Sequence, residues 1–306
     1  MKKHAWVWAV AGGLVCGLLA AAALNLYTRP PRPRSVSTEP EAEVAPAEAD
    51  ARSVAPSSTR ASAESAPLPP NARPSPRRAL PFGPGETLVY DVAWTLVNAG
   101  TITMTLTDER SERSERGASV WHMLAEGRVA AALASLYPLH YKAESSVDPE
   151  TLLPRRAVVY QQEGQRRRTR ITLFDHAARR AHYEQVGGRQ ADVDTPAEVW
   201  DSLSVLYALR AAPALVPGAR FSRAVCDSGR VYTLELNVGE SASIDTPAGR
   251  FSAYKITPVI HDAAGQPQAG AVSLWLSSDS RRLPVKIEVA LAVGRFTVVL
   301  REFTSG

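Results

Sequence analysis

Arginine is the residue type best placed to do chemistry in this chain, and four of them crowd into one short stretch: Arg166, Arg167, Arg168 and Arg170. Alternate side chains of an extended strand share a face. Arg166, Arg168 and Arg170 therefore point one way, and Arg167, Thr169, Ile171 and Leu173 the other. A row of guanidinium groups suits phosphate or carboxylate oxygens, which makes Arg166, Arg168 and Arg170 the candidate site for an anionic surface. The plainer alternative is a solvated charged face that keeps a sheet edge from associating. Arg179 and Arg180 are expected to return beside the cluster on the paired strand.

Other chemistries find less support. His122, His140, His176, His182 and His261 have no H-E-x-x-H spacing and alternate with apolar residues as ordinary strand positions do, although His176 and His182 could meet across a hairpin. Asp192-x-Asp194 lacks the further oxygen ligands and glycine of a calcium loop, and suits the positive end of a following helix better. Ser202 and Ser204 lie beside Asp201 but without a G-x-S-x-G elbow. Cys226 is the only cysteine outside the N-terminal apolar run, so the domain has no internal disulfide; it reads as a small buried hydrophobe or a reactive thiol. No catalytic residue, metal or cofactor is assigned, and the chain reads as non-enzymatic. The formal charge of +4 comes from 30 arginines and 5 lysines spread along the sequence. No zinc-finger spacing, RNP-like strand or basic helix turns that charge into a nucleic-acid groove.

The element expected to organise the rest is Thr195 to Ala212, TPAEVWDSLSVLYALRAA, the one long helical pattern among strands. Thr195 is placed to cap, Pro196 to open the first turn and Glu198 to close a capping box, while Pro213 stops the helix. Trp200, Leu203, Leu206 and Tyr207 gather with Val199 and Leu209 on one apolar arc, opposite Ala197, Glu198, Asp201 and Ser204. Arg210 falls near the centre of that arc. It either snorkels to bond the last carbonyls or forms a buried pair with a strand carboxylate that sets the helix register.

Around this helix the period is two. Thr87–Trp94 and the TITMTLT of Thr101–Thr107 alternate apolar with polar residues, with Asn98-Ala99-Gly100 as the turn between them. Eleven further strands are expected: 120–128, 139–147, 155–161, 169–174, 181–185, 220–225, 231–238, 251–259, 271–276, 285–292 and 296–303. Thirteen short strands with hairpin connections make a mainly β fold, an antiparallel meander curled into a barrel or half-barrel. The amphipathic helix then packs on the concave side or closes an end.

Ahead of this domain (85–306) stand two other segments. Residues 1–27 carry Lys2 and Lys3 and an uncharged apolar run from Ala5 to Leu24, long enough to span a bilayer. They read as an inner-membrane anchor, or alternatively as a signal peptide cleaved near Ala20–Ala23. Thirteen of the 23 prolines fall between Thr28 and Gly85. So biased a composition cannot bury enough apolar surface to fold, and residues 28–84 read as a disordered linker.

Gly85-Glu86-x-Leu88-x-Tyr90, Asn98-Ala99-Gly100, Asp201-x-Leu203-Ser204-x-Leu206-Tyr207-x-Leu209-Arg210, Gly249-x-Phe251, Trp275-x-x-x-Asp279 and Leu283-Pro284-Val285 together resemble the bacterial envelope family catalogued as domain of unknown function 3108. The resemblance runs from Phe82 to the C-terminus and implies an exported, largely β domain. It implies no catalytic residue. The function expected is a membrane-tethered periplasmic domain holding a lipid or acyl chain in its concavity, with Trp200, Leu203, Leu206 and Tyr207 lining the ligand. The alternative is an envelope adaptor that contacts other proteins through its sheet surface.

Overall fold

The computed structural model describes residues 80–95, 97–110, 119–134, 138–213, 215–267, 271–291 and 294–306. The expected membrane segment (1–27) and nearly all of the expected linker (28–84) lie outside them. Among the described residues no helix is long and apolar enough to cross a membrane.

Among the described residues fourteen strands form one antiparallel sheet. The first seven are β1 (Thr87–Trp94), β2 (Val97–Arg110), β3 (Ser119–Val129), β4 (Leu139–Val147), β5 (Pro154–Glu163), β6 (Arg166–Asp175) and β7 (Arg180–Gln185). The others are β8 (Gln190–Asp194), β9 (Arg220–Asp227), β10 (Arg230–Thr246), β11 (Gly249–His261), β12 (Ala271–Ser277), β13 (Pro284–Leu291) and β14 (Gly294–Thr304). The thirteen expected strands appear in order, and β8 is the addition. Helix α1 (Ala131–Ala134) is a single turn in the β3–β4 connection, and α2 (Ser204–Arg210) is the helix between β8 and β9.

The alternation in sequence becomes two faces. Leu88, Tyr90 and Val92 of β1, Ile102, Met104 and Leu106 of β2, and Phe296, Val298 and Leu300 of β14 are buried on the inner face. The threonines of β2 stay partly exposed on the outer one. Each fully buried aliphatic side chain contributes about 1.5–3 kcal/mol, so this regular pattern fixes which face is concave. Register supports it: Tyr90 stands opposite Leu300 and Val92 opposite Val298.

Asn98-Ala99-Gly100 does not form the β1–β2 turn. Those residues belong to β2 and make a bulge, where Val92 pairs with Gly100 but Ala93 with Asn98. Asn98 Oδ1 accepts the Gly100 N–H at 3.0 Å. A Cβ on Gly100 would lie 2.1 Å from the Arg128 carbonyl oxygen, so only glycine lets β2 and β3 approach here.

Each strand pairs with its sequence neighbour, and β1 also pairs with β14, which leaves β8 and β9 as the two sheet edges. The sheet is therefore curled but not closed by hydrogen bonds. The segment before α2 covers part of the gap: Trp200 forms a parallel bridge with Val225, its N–H donating to the Ala224 carbonyl at 3.0 Å and its carbonyl accepting from Cys226 at 2.8 Å. Behind it Val199 packs with Ala181 of β7 and Cys226 of β9 in a small separate cluster.

The helix is shorter than its sequence pattern. Thr195 to Leu203 are not helical, so Thr195 is no cap and Pro196 opens no turn. Pairing of Trp200 with the exposed edge of β9 outweighs the local helical preference of Thr195–Glu198. Asp192 and Asp194 face no helix terminus; they pair with His182 at 2.8 Å and Arg180 at 3.3 Å across the β7–β8 hairpin.

Candidate functional site

The interior is built around α2. All seven of its residues are buried, including Ser204 and Arg210, so the helix has no solvent face and its expected amphipathicity is absent. Its entry is a reciprocal cap in the turn just before it. Asp201 Oδ1 accepts the N–H groups of Leu203 at 2.7 Å and Ser204 at 3.0 Å, and Ser204 Oγ accepts the Asp201 N–H at 3.0 Å. This D-x-x-S arrangement satisfies donors that the first turn would otherwise strand in the core. Ser145 of β4 donates its hydroxyl to the other Asp201 oxygen, tying the helix start to the sheet. Burial pushes the Asp201 carboxyl up despite these four donors and contacts.

The helix exit is a second lock. Arg210 donates to both oxygens of Glu86, at 2.7 Å each, and neither side chain is more than 3% exposed. Its Nε donates to the Arg282 carbonyl at 3.0 Å and Nη2 to the Arg281 carbonyl at 3.3 Å. The rings of Phe82 and Tyr207 lie 4.7 and 5.3 Å from its guanidinium carbon. Arg282 returns the contact, donating to the Arg210 carbonyl at 2.9 Å and to the Ala212 carbonyl. The buried pair is thus the correct account of Arg210, and the snorkelling one is not. Four of the five N–H donors on its planar fork are used at this position.

Trp200, Leu203, Leu206 and Tyr207 are brought together in the core, Trp200 6% exposed and the others 1%. A residue lining a ligand cavity keeps surface open to a water-sized sphere, and these keep almost none. Of the four, Leu203 borders a cavity of about 10 Å³, room for about one water molecule, which it lines together with Arg170, Thr172, Tyr183, Asp201 and Cys226.

The arginine row divides. Arg166 and Arg168 are exposed at the end of the β5–β6 hairpin, while Arg170 turns inward beside the gap. Arg170 Nη1 donates to Ser228 Oγ at 2.9 Å and Nη2 to Gln161 Oε1 at 3.3 Å. Ser228 donates in turn to Asp227 at 2.9 Å, and Gln161 to Glu163. Arg170 therefore links β5 and β6 to the β9–β10 turn, across the opening. Arg179 and Arg180 do not join the cluster: consecutive turns of a meander alternate ends, which puts the β6–β7 turn at the end opposite the β5–β6 turn.

The remaining candidates serve local structure. Burial holds the Cys226 thiol at a pKa pushed up to about 12, so it stays protonated. Ser204 is spent on the cap. His122 faces Glu144 at 3.6 Å, His140 faces Glu126 at 2.7 Å, and His261 faces Glu235 at 3.4 Å. His176 contacts the Pro154 carbonyl at 2.8 Å and does not meet His182, which pairs with Asp192. Among the described residues no three His, Cys, Asp or Glu side chains converge as a metal site. Sequence reasoning missed Glu86 and Arg282 as the partners of Arg210, and the cap role of Asp201. Only the D-x-x-S spacing offered a local signal.

Curled sheet and buried helix together define a class, an open antiparallel meander wrapped around a central helical plug. The model of the family described as "Protein of unknown function (DUF3108)" matches residues 89–301, and the chain belongs to that family. Among solved structures the chain is similar to a β-barrel-like protein of domain of unknown function DUF1849 from Brucella abortus. That match has 8% identity, 72% of this chain and 97% of that one covered, and a TM-score of 0.48. It is also similar to a Bacteroides fragilis protein with a YmcC-like fold, at 12% identity, 74% and 98% coverage and a TM-score of 0.28. No curated protein matches the chain.

Proposed function

We propose that this chain is a non-enzymatic envelope adaptor, tethered to the inner membrane by its N-terminal apolar run and acting through the outer surface of the sheet. The observation that carries this reading is the plug. Leu203, Leu206 and Tyr207, the residues best suited to line an acyl chain, are each 1% exposed and already matched by strand side chains. The two locks on the helix, at Asp201 and Arg210, favour a permanent part of the core over a displaceable one. The outer face offers polar and charged side chains for contact with other envelope proteins. Native mass spectrometry of the full chain extracted from membranes tests the reading. A polypeptide free of stoichiometric lipid after detergent removal is expected. A retained lipid or acyl chain, released only on unfolding, would return the domain to the carrier reading.

A further inference from the structure

In a meander the odd-to-even turns share one rim, so the β1–β2, β5–β6, β7–β8 and β9–β10 connections lie at the same end. Two adjacent hairpins there carry Arg166, Arg167, Arg168 and Arg189, all exposed. None of the four has an ion-pair partner among the described residues, although Arg189 lies over the Tyr183 ring, 5.8 Å from its centroid; Arg156, Arg179 and Arg220 are also exposed without an ion pair, but they are scattered over the opposite end and not gathered on adjacent hairpins. Glu163 and Glu184 stand nearby, and Glu163 accepts from Gln161. The Val186 N–H donates to the Thr169 carbonyl at 2.9 Å, which holds the β7–β8 tip against the arginine strand. Val186 itself is 56% exposed on that tip, and Val97 at the same rim is 54% exposed. Guanidinium groups without ion-pair partners on the same two hairpins as the exposed Val186 match a surface of anionic headgroups over hydrocarbon, which rewards both.

We propose that this rim docks on anionic phospholipid, with Arg166, Arg167, Arg168 and Arg189 contacting phosphates and Val186 entering the interface. The inference goes beyond the adaptor reading, since it concerns how the tethered domain is oriented and not what its sheet binds. Full-length chain with Cys16→Ser and a fluorophore on Gln190→Cys, an exposed position at this rim, is reconstituted in vesicles carrying an acceptor lipid. Cys226, buried and protonated, stays unlabelled. Energy transfer is expected to be high with about one-third phosphatidylglycerol, low in pure phosphatidylcholine, and reduced by salt. Replacing Arg166, Arg167 and Arg168 by Gln should bring it to the phosphatidylcholine level. Replacing Arg156, Arg179 and Arg220, exposed arginines scattered over the opposite end, removes the same charge and should leave it unchanged. Equal transfer in both lipids, or equal loss in both triple variants, overturns the proposal. So does binding of soluble polyglutamate with no response to phosphatidylglycerol, which would assign the rim to an acidic protein. The mass measurement on extracted chain is independent of all these outcomes.

Discussion

Removing the guanidinium of Arg210 would strand the Glu86 carboxylate in a place where water cannot reach it. Arg210→Met is expected to lower unfolding free energy by about 3–5 kcal/mol in urea titration. Adding Glu86→Leu should recover much of that loss, because what remains after the single change is an uncompensated charge and not a missing attraction. Asp201 poses the opposite case. Burial raises its carboxyl above the value of about 3.9 it has in the unfolded chain. Between the two values the native state holds more protons, so this group costs stability as pH rises and costs nothing below the unfolded value. Asparagine keeps the oxygen that accepts from Leu203 and Ser204 but removes the charge. The stability of Asp201→Asn relative to the parent should therefore increase as pH goes from about 4 to neutrality, measured by denaturant midpoints across pH. A difference independent of pH would mean that the carboxyl titrates alike in the native and unfolded chains.

At the scale of elements the strands were legible because burial on one face repeats every second residue, and no tertiary context is needed to see it. The helix start was not. Thr195, Pro196 and Glu198 imitate a helix N-terminus, yet Trp200 meets the free edge of β9, a partner 25 residues further on that no local pattern announces. The cap that does operate begins at Asp201 and was hidden inside the expected helix. β8 was missed because Gln190-Ala-Asp-Val-Asp carries little apolar signal; its residues are held by one neighbour and by charge pairs with His182 and Arg180. That difference is measurable. Amides of β8 should exchange with deuterium well before those of β1, β2, β13 and β14, which are paired on both sides. Protection of β8 equal to that of β1 would show that another segment covers this edge. The Glu86–Arg210 lock, spanning 124 positions, was visible in the sequence only as one of two accounts of Arg210.

At the scale of the whole described domain, the chain is a linear meander whose first and last strands pair at the middle of the sheet. The final glycine packs so closely on Gly83 and Pro84 that a Cβ on Gly306 would lie 2.3 Å from the Gly83 carbonyl oxygen. A permuted chain that joins Gly306 to Gly83 through a short linker and opens between Gly187 and Gly188 should therefore unfold in a single cooperative transition by circular dichroism. A broad, multiphasic melt would indicate that the hairpin at Gly187 is needed for assembly. The β1–β14 pair has a further meaning in time. As a chain is synthesised, the first strand finished is the one whose second neighbour is made last. Until β14 emerges, β1 keeps an open edge and the Phe296, Val298 and Leu300 wall of the core is missing. Order of synthesis and order of completion run opposite to one another at the centre of this sheet. A chain that stops just before β14 consequently leaves both β1 and β13 with an open edge, two more than the finished sheet has, and is exposed to edge-to-edge association until it is shielded or degraded.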